Sequence, residues 1–269
     1  MPTATNDGVD CYYETTGDGA TGGRAPVVFV GDAGYGAWQW GWQHRAVAGP
    51  RTAVVYDHRG TGRSDAPPGP YVAADLVGDL RSVVDAADAS RPHLVAAGVG
   101  GLVALRATLS SAVTPRSLVL LGTAAAGTAV DADGLRSLYA PSTDREGLRR
   151  ATRAALSDAF VDAQPEVLET IVDWRAEEDA GPAATEAQLA AARGVDVGDR
   201  LYEVTTPAVV LHGDADAAWP VAAAAELAEG LPRGELVAFE DAGHLVGVER
   251  SKAVDDRLVG TLEANDPGE

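Results

Sequence analysis

The stretch His93-Leu-Val-Ala-Ala-Gly-Val-Gly-Gly-Leu-Val-Ala-Leu-Arg106 has the pattern of a turn that presents a reactive side chain. Leu94 to Ala97 read as a short buried strand, the glycines as a tight turn, and the residues from about Gly101 as a helix. In a G-x-S-x-G elbow, such a strand-to-helix turn lifts a serine to the top of a parallel sheet, ready for nucleophilic attack. The five aligned positions here are Ala96, Ala97, Gly98, Val99 and Gly100. Gly100 and Gly101 permit the close helix–strand approach that the turn needs. The serine position holds Gly98, and Ala96, Ala97 and Val99 offer no nucleophile in its stead.

A turn of this kind needs a sheet beneath it, and the rest of the chain supplies one. Residues 9 to 16 read as a strand, followed by a loop from Gly17 to Arg24. Ala25-Pro-Val-Val-Phe-Val30 is a continuous apolar run, as expected of a strand buried on both faces. It ends in Gly31-Asp-Ala-Gly-Tyr-Gly36, a loop at the carboxyl end of a strand, where open α/β sheets place ligands. A helix carrying Trp38 and Trp42 at i,i+4 is expected next, then the strand Arg51 to Tyr56. Residues 73 to 89 form a helix with Leu76, Leu80, Val83 and Val84 on one face. Ser117 to Leu121 is a strand. Strands follow at Pro207 to His212 and Glu235 to Phe239, with helices at 221 to 230 and about 249 to 263.

Directly after the strand Arg51 to Tyr56 comes Asp57-His-Arg-Gly-Thr-Gly-Arg-Ser-Asp65. Together with the elbow frame, this D-x-R-G-x-G-x-S-D turn resembles the α/β-hydrolase superfamily, and the likeness runs over roughly residues 9 to 263. The resemblance implies an α/β-hydrolase fold: a mostly parallel central sheet with helices on both faces and a small helical cap inserted after the sixth strand. The core is then 1–129 and 197–269, and the cap 130–196. In that segment helical pieces (135–140, 145–160, 165–179, 184–193) are separated by Pro141, Pro165 and Gly181-Pro182.

Family members order their triad as nucleophile, acid, base. The match places the acid at Asp216, in His212-Gly-Asp-Ala-Asp216, and the base at His244, in Asp241-Ala-Gly-His244. The chemistry fits these types: imidazole titrates near neutrality, and a carboxylate on one ring nitrogen fixes its tautomer. Both follow apolar strands, so both can reach the sheet edge beside Gly98. Asp214 is the competing acid. His44, His58, His93 and His212 lack comparable context. The resemblance also implies backbone oxyanion donors at Ala33 and Val99. Many members carry His-Gly where this chain has Gly31-Asp32, and Asp32 is a possible site acid. If its side chain turns inward it opposes a developing oxyanion; the alternative is a solvated loop acid that caps a turn.

Gly98 constrains the reaction. Removing the serine from a triad costs on the order of 10⁶ in kcat, whereas a positioned His–Asp base still supplies roughly 10² to 10⁴. One reading is therefore an enzyme that acts on a small, largely apolar molecule through His244 and Asp216 as general base, by direct water attack or by lyase or isomerase chemistry at an acidic C–H. The alternatives are a non-catalytic binding or interaction protein that retains the pocket, and a conventional esterase whose nucleophile is Ser64, Ser90, Ser110 or Ser111. On the first two readings, Gly98→Ser is expected to complete a triad.

Composition limits the partners. Forty acidic residues face 21 basic ones, a net charge of −19, and Lys252 is the sole lysine. Acids spread along the whole chain argue against nucleic acid or anionic membranes, both of which need positive surface. Such a coat suits concentrated salt, where repulsion is screened over only about 3 Å near 1 M. The start of the chain has no basic segment followed by an apolar run, so a cytoplasmic location is expected. Cys11 has no disulfide partner and reads as an inert buried thiol. No nucleotide fingerprint, phosphate loop or metal-spaced cluster points to a cofactor, and oligomeric state leaves no trace in the pattern.

Overall fold

The computed structural model describes residues 2–17 and 24–266. Most of the loop expected over Gly17 to Arg24 therefore lies outside the described residues. Among them, eight strands form one sheet: β1 (Thr3–Asn6), β2 (Val9–Thr16), β3 (Val27–Val30), β4 (Ala53–Tyr56), β5 (His93–Ala97), β6 (Leu118–Leu121), β7 (Ala208–Gly213) and β8 (Gly234–Phe239). The order across it is β1-β2-β4-β3-β5-β6-β7-β8. β1, β2 and β4 pair antiparallel, and every pair from β4–β3 onward is parallel. Strands β3, β6 and β7 are buried along their whole length, which is why they read as unbroken apolar runs rather than alternating ones.

The helices follow as α1 (Gln43–Val47), α2 (Ala73–Ala86), α3 (Val99–Leu109), α4 (Ala132–Ser137), α5 (Arg145–Ala154), α6 (Asp158–Ala163), α7 (Pro165–Glu178), α8 (Pro182–Arg193), α9 (Val221–Gly230), α10 (Val246–Glu249) and α11 (Ser251–Ala264). The core divides by sheet face. One cluster sets Val28, Leu94, Leu118 and Val210 against α2, α3 and the inserted helices. The other sets Phe29, Val95, Val119 and Leu211 against Trp40 and α11.

After β3 the chain steps to β4 on one side, and β5 then pairs on the other. The carboxyl ends of β3 and β5 therefore flank the crevice where such sheets bind ligands. Register fixes the height: Val30 lies opposite Ala96, and Ala97 opposite Leu121. The loops after β3, β5, β7 and β8 all emerge at this edge.

Several elements differ from expectation for local reasons. The elbow helix begins at Val99, directly after the turn. The helix expected around Trp38 and Trp42 is a 3₁₀ turn over Ala37–Trp40 followed by α1, with Gly41 between them. The piece expected over 145–160 is two helices, because Ser157 caps α6 by accepting from the Phe160 N–H (3.2 Å). Asp131 caps α4 through the N–H groups of Asp133 (3.1 Å) and Gly134 (2.7 Å), so this helix starts early. β1 was not expected: four polar or small residues at a sheet edge carry almost no alternation.

Candidate functional site

Gly98 makes the turn between β5 and α3. Its backbone sits at φ +49°, ψ −119°, a region that costs a non-glycine residue about 1–3 kcal/mol. Its N–H donates to Leu121 O (3.0 Å), and its carbonyl accepts from Thr123 Oγ1 (2.6 Å), so the turn is held from both sides. Next to it, a Cβ on Gly100 would overlap the Val30 carbonyl, which explains the glycine at the point where α3 meets β3.

Asp32 follows β3 by two residues and turns inward, with 1% of its surface exposed. Its Oδ1 accepts two backbone hydrogen bonds, from Ala33 N and from Val99 N, each 2.7 Å. These are the two N–H groups for which the resemblance implied an oxyanion. Its Oδ2 accepts from His244 Nε2 (2.9 Å). The carboxyl group lies where a side chain at Gly98 would begin, because a Cβ built there overlaps Asp32 Cγ and both oxygens. The expectation that Gly98→Ser alone completes a triad is thereby corrected: the new side chain and Asp32 compete for one space. The alternative of a solvated turn acid also falls away, since Asp32 is buried and bonded on both oxygens.

His244 stands in the loop between β8 and α10. The loop is pinned by Gly243 N donating to Glu249 Oε1 (2.6 Å) and by Leu245 N donating to Ala155 O (2.9 Å). Its Nδ1 donates to Asp216 Oδ2 (2.8 Å). Asp216, after β7, spends its other oxygen on Ala218 N (2.8 Å) and Trp219 N (3.0 Å). Burial alone would lower the His244 pKa, but Asp216 and then Asp32 outweigh it and raise it to about 10. For Asp216 burial pulls upward, yet the His244 charge prevails and its pKa lies below the ordinary carboxylate value. Both carboxyl partners thus favour the protonated form of His244.

The remaining candidates fall elsewhere. Asp214 is exposed and accepts from Asp241 N (2.8 Å), supporting the β8 loop rather than His244. His58 Nε2 bonds Gly31 O (2.8 Å), and His212 Nε2 bonds Trp219 O (2.7 Å); both brace loops of the site from below. His93 is buried on β5, and His44 is half-buried on α1. Ser64 donates to Asp57 O (2.6 Å) within its turn, and Ser90, Ser110 and Ser111 are exposed. Cys11 is buried, and burial pushes its thiol pKa upward. Among the described residues, no group of three His, Cys, Asp or Glu is placed to hold a metal ion, and no helix is long and apolar enough to cross a membrane.

Several supporting residues carried no signal in the sequence. Gln39 Oε1 accepts from Asp32 N (3.0 Å). Gln188 on α8 accepts from Gly34 N (2.7 Å) and donates to Arg59 O (2.7 Å) and Thr61 Oγ1 (2.9 Å), so it joins the Asp32 loop to the Asp57–Asp65 turn. Arg175 is fully buried in α7. It donates to Asp179 (2.7 Å), Thr152 (3.0 Å) and Leu138 O (2.8 Å), and it lies 4.7 Å from the Tyr35 ring. An isolated arginine or glutamine in a helix looks like any surface residue; only the fold shows these to be buried and saturated.

A cavity of about 320 Å³ lies between the inserted helices and the sheet edge, lined by Gly34, Leu135, Tyr139, Asp179, Thr185 and Leu189 among others. Of the pocket candidates Leu138, Tyr139, Phe160 and Trp174, Tyr139 lines it, while the other three pack in or against the core. Neither Asp32 nor His244 reaches this cavity. Tyr35 stands between, its ring 5.7 Å from Tyr139 and 6.4 Å from His244.

Residues 27–257 match the model of the alpha/beta hydrolase family. A protein of Azorhizobium caulinodans named "Putative carbamate hydrolase RutD" is 28% identical over 97% of each chain, and one of the same name from Variovorax paradoxus is 31% identical over 93% of this chain and 95% of its own. Among solved structures, the enol-lactonase of Burkholderia xenovorans superposes with a TM-score of 0.82 at 24% identity, over 97% of this chain and 100% of its own. An N-acyl homoserine lactone degrading enzyme superposes with a TM-score of 0.79 at 25% identity, over 96% and 99%. The match covers most of the chain and agrees with the strand order and the elbow turn: this protein belongs to the alpha/beta hydrolase family.

Proposed function

We propose that this chain is a non-hydrolytic member of its family, which binds a small, largely apolar molecule beneath its helical cap (130–196) and whose acyl-transfer centre is closed by its own side chain. One observation carries this reading. The Asp32 carboxylate accepts from the N–H groups of Ala33 and Val99 at 2.7 Å and from His244 at 2.9 Å, in the space beside Gly98. A carboxylate so held resembles the acid product of an acyl enzyme, built in permanently. An incoming carbonyl finds the donors of its oxyanion taken and no nucleophile at Gly98. Its two aspartates hold His244 in the protonated form at neutral pH, which leaves it no free lone pair with which to act as base. The cavity under the cap supplies the binding space, with Tyr139 among its lining residues.

A second reading keeps catalysis. His244 and Asp216 hold the 2.8 Å contact of a catalytic dyad, and relatives are named as carbamate hydrolases. A substrate that displaced Asp32 would release His244 to serve as general base toward water or an acidic C–H, without a covalent intermediate.

The two readings separate in one assay of ester, lactone and carbamate hydrolysis. The natural protein is expected to show no turnover above buffer, and Asp32→Gly/Gly98→Ser to gain turnover that His244→Ala then abolishes. Turnover by the natural protein that is lost in His244→Ala would establish the second reading instead.

A further inference from the structure

The sheet order leaves β8 with a neighbour on one side, β7, and among the described residues no strand lies beyond it. β8 follows β7 in unbroken register from Gly234 to Phe239, so no bulge twists its free edge away. Its sequence, Gly-Glu-Leu-Val-Ala-Phe, holds neither proline nor lysine, the residues that commonly blunt such edges. The carbonyls of Arg233 and Phe239 accept from Ala208 N (3.0 Å) and Asp214 N (3.1 Å), so the odd-numbered positions direct their backbone groups to β7. By alternation, the N–H and C=O groups of Leu236 and Ala238 point outward. Ala238 is exposed, and Leu236, Val237 and Phe239 are half-buried. The opposite edge, β1, is shorter and reads Thr-Ala-Thr-Asn.

We propose that the free edge of β8 is a homodimer interface, at which β8 of a second copy pairs antiparallel about a two-fold axis through Val237. An antiparallel ladder sets outward-bonding residues against outward-bonding ones, so the axis passes through Leu236, Val237 or Ala238. Through Leu236, it sets Pro232, which has no N–H, against Glu240. Through Ala238, it sets Glu235 against Asp241, two like charges. Through Val237, it joins Leu236 to Ala238 of the second copy at both symmetric places and sets the two Val237 side chains against each other. It also brings Arg233 to Asp241 of the second copy. Both are exposed, and among the described residues neither has an ion-pair partner, whereas nearby Arg257 is spent on Glu235 (3.1 Å). Asp214 Oδ1, which accepts from Asp241 N (2.8 Å), adds a second carboxylate. The edge is thus complementary to itself in backbone groups and in charge, as a two-fold contact requires. The pairing ends at Asp241, in the loop that carries His244, and it stands whichever reading of that histidine holds.

Light scattering of the full chain after gel filtration, in about 1 M salt to screen the charge of each copy, tests this. A particle of two chains is expected, its share rising with protein concentration. Ala238→Pro removes an outward N–H where an edge strand tolerates proline, so the fold is expected to remain and the dimer to be lost. Arg233→Asp is expected to weaken association by roughly tenfold. Cysteines read the register. Cα atoms of a facing pair without ladder bonds lie about 4.5 Å apart, within disulfide reach. Oxidised Val237→Cys is therefore expected to form a covalent dimer faster than Ala238→Cys, although position 238 is the more exposed. A chain that stays single at every concentration, a dimer that persists in folded Ala238→Pro or is untouched by Arg233→Asp, or faster crosslinking at 238 than at 237 would overturn the proposal.

Discussion

His244 and His93 are both buried, and each lies near an aspartate. His244 donates to Asp216 at 2.8 Å and to Asp32 at 2.9 Å, and among the described residues no arginine or lysine pairs with either carboxylate. His93 reaches Asp266 only at 3.4 Å, and its other nitrogen bonds Ser117 at 2.8 Å. Asp266 is already claimed by Arg51, through contacts of 2.6 and 2.7 Å. The first histidine is raised to about 10; for the second, burial prevails and lowers it to about 4. The same two residue types give opposite shifts because one aspartate pair is free to favour the charged ring and the other aspartate is spent on a guanidinium. A His–Asp contact is thus no mark of a base by itself; what matters is what else the carboxylate touches.

The largest test of this contrast is truncation. His244→Ala leaves Asp32 and Asp216 buried without their cation, and losing one partner of a buried ion pair costs about 3–5 kcal/mol. His93→Ala removes a neutral ring whose aspartate keeps Arg51, so its loss is expected to be about half as large. Urea unfolding of both variants checks this, and equal losses would break the distinction.

A smaller effect is the pH dependence. His244 has a folded pKa above its unfolded value, so its contribution is complete below about pH 6.5 and is lost as pH rises towards about 10. His93 has a folded pKa below its unfolded value, so its contribution is present above about pH 6.5 and is lost as pH falls towards about 4. Each supplies a slope of up to about 1.4 kcal/mol per pH unit, of opposite sign. Stability measured from pH 5 to 10 is expected to peak near neutrality, and Asp32→Asn to flatten only the alkaline limb. An alkaline limb unchanged in Asp32→Asn would remove Asp32 from the account of His244.

Salt should act least on the buried contrast and most on the surface. Raising the salt from 0.1 to about 2 M shortens the screening length from about 10 Å to under 3 Å. With a net charge of −19, the melting temperature is expected to rise, by the same amount in the natural protein and in His244→Ala. A protein equally stable in dilute buffer would remove the case for adaptation to concentrated salt.

The strands were legible because buried parallel strands are plain apolar runs, as in Val27–Val30 and Leu118–Leu121. The pairing of His244 with Asp216 was legible from motif order. The state of Asp32 was not. Whether a loop carboxylate points inward depends on the space left by a residue 66 positions away, and neither Asp32 nor Gly98 alone predicts the other. The saturation of Arg175, Gln39 and Gln188 was hidden for the same reason: their partners come from distant segments.

The shared space of Asp32 and Gly98 also constrains how this sequence can change. A serine at 98 meets the carboxylate of Asp32, and removing Asp32 first strands a protonated histidine beside an empty anion hole. Each step towards a complete triad is disfavoured until the other has been taken. The pair works as a ratchet on the protein's mutational history: a route back to acyl chemistry exists, but it passes through two coupled substitutions rather than one.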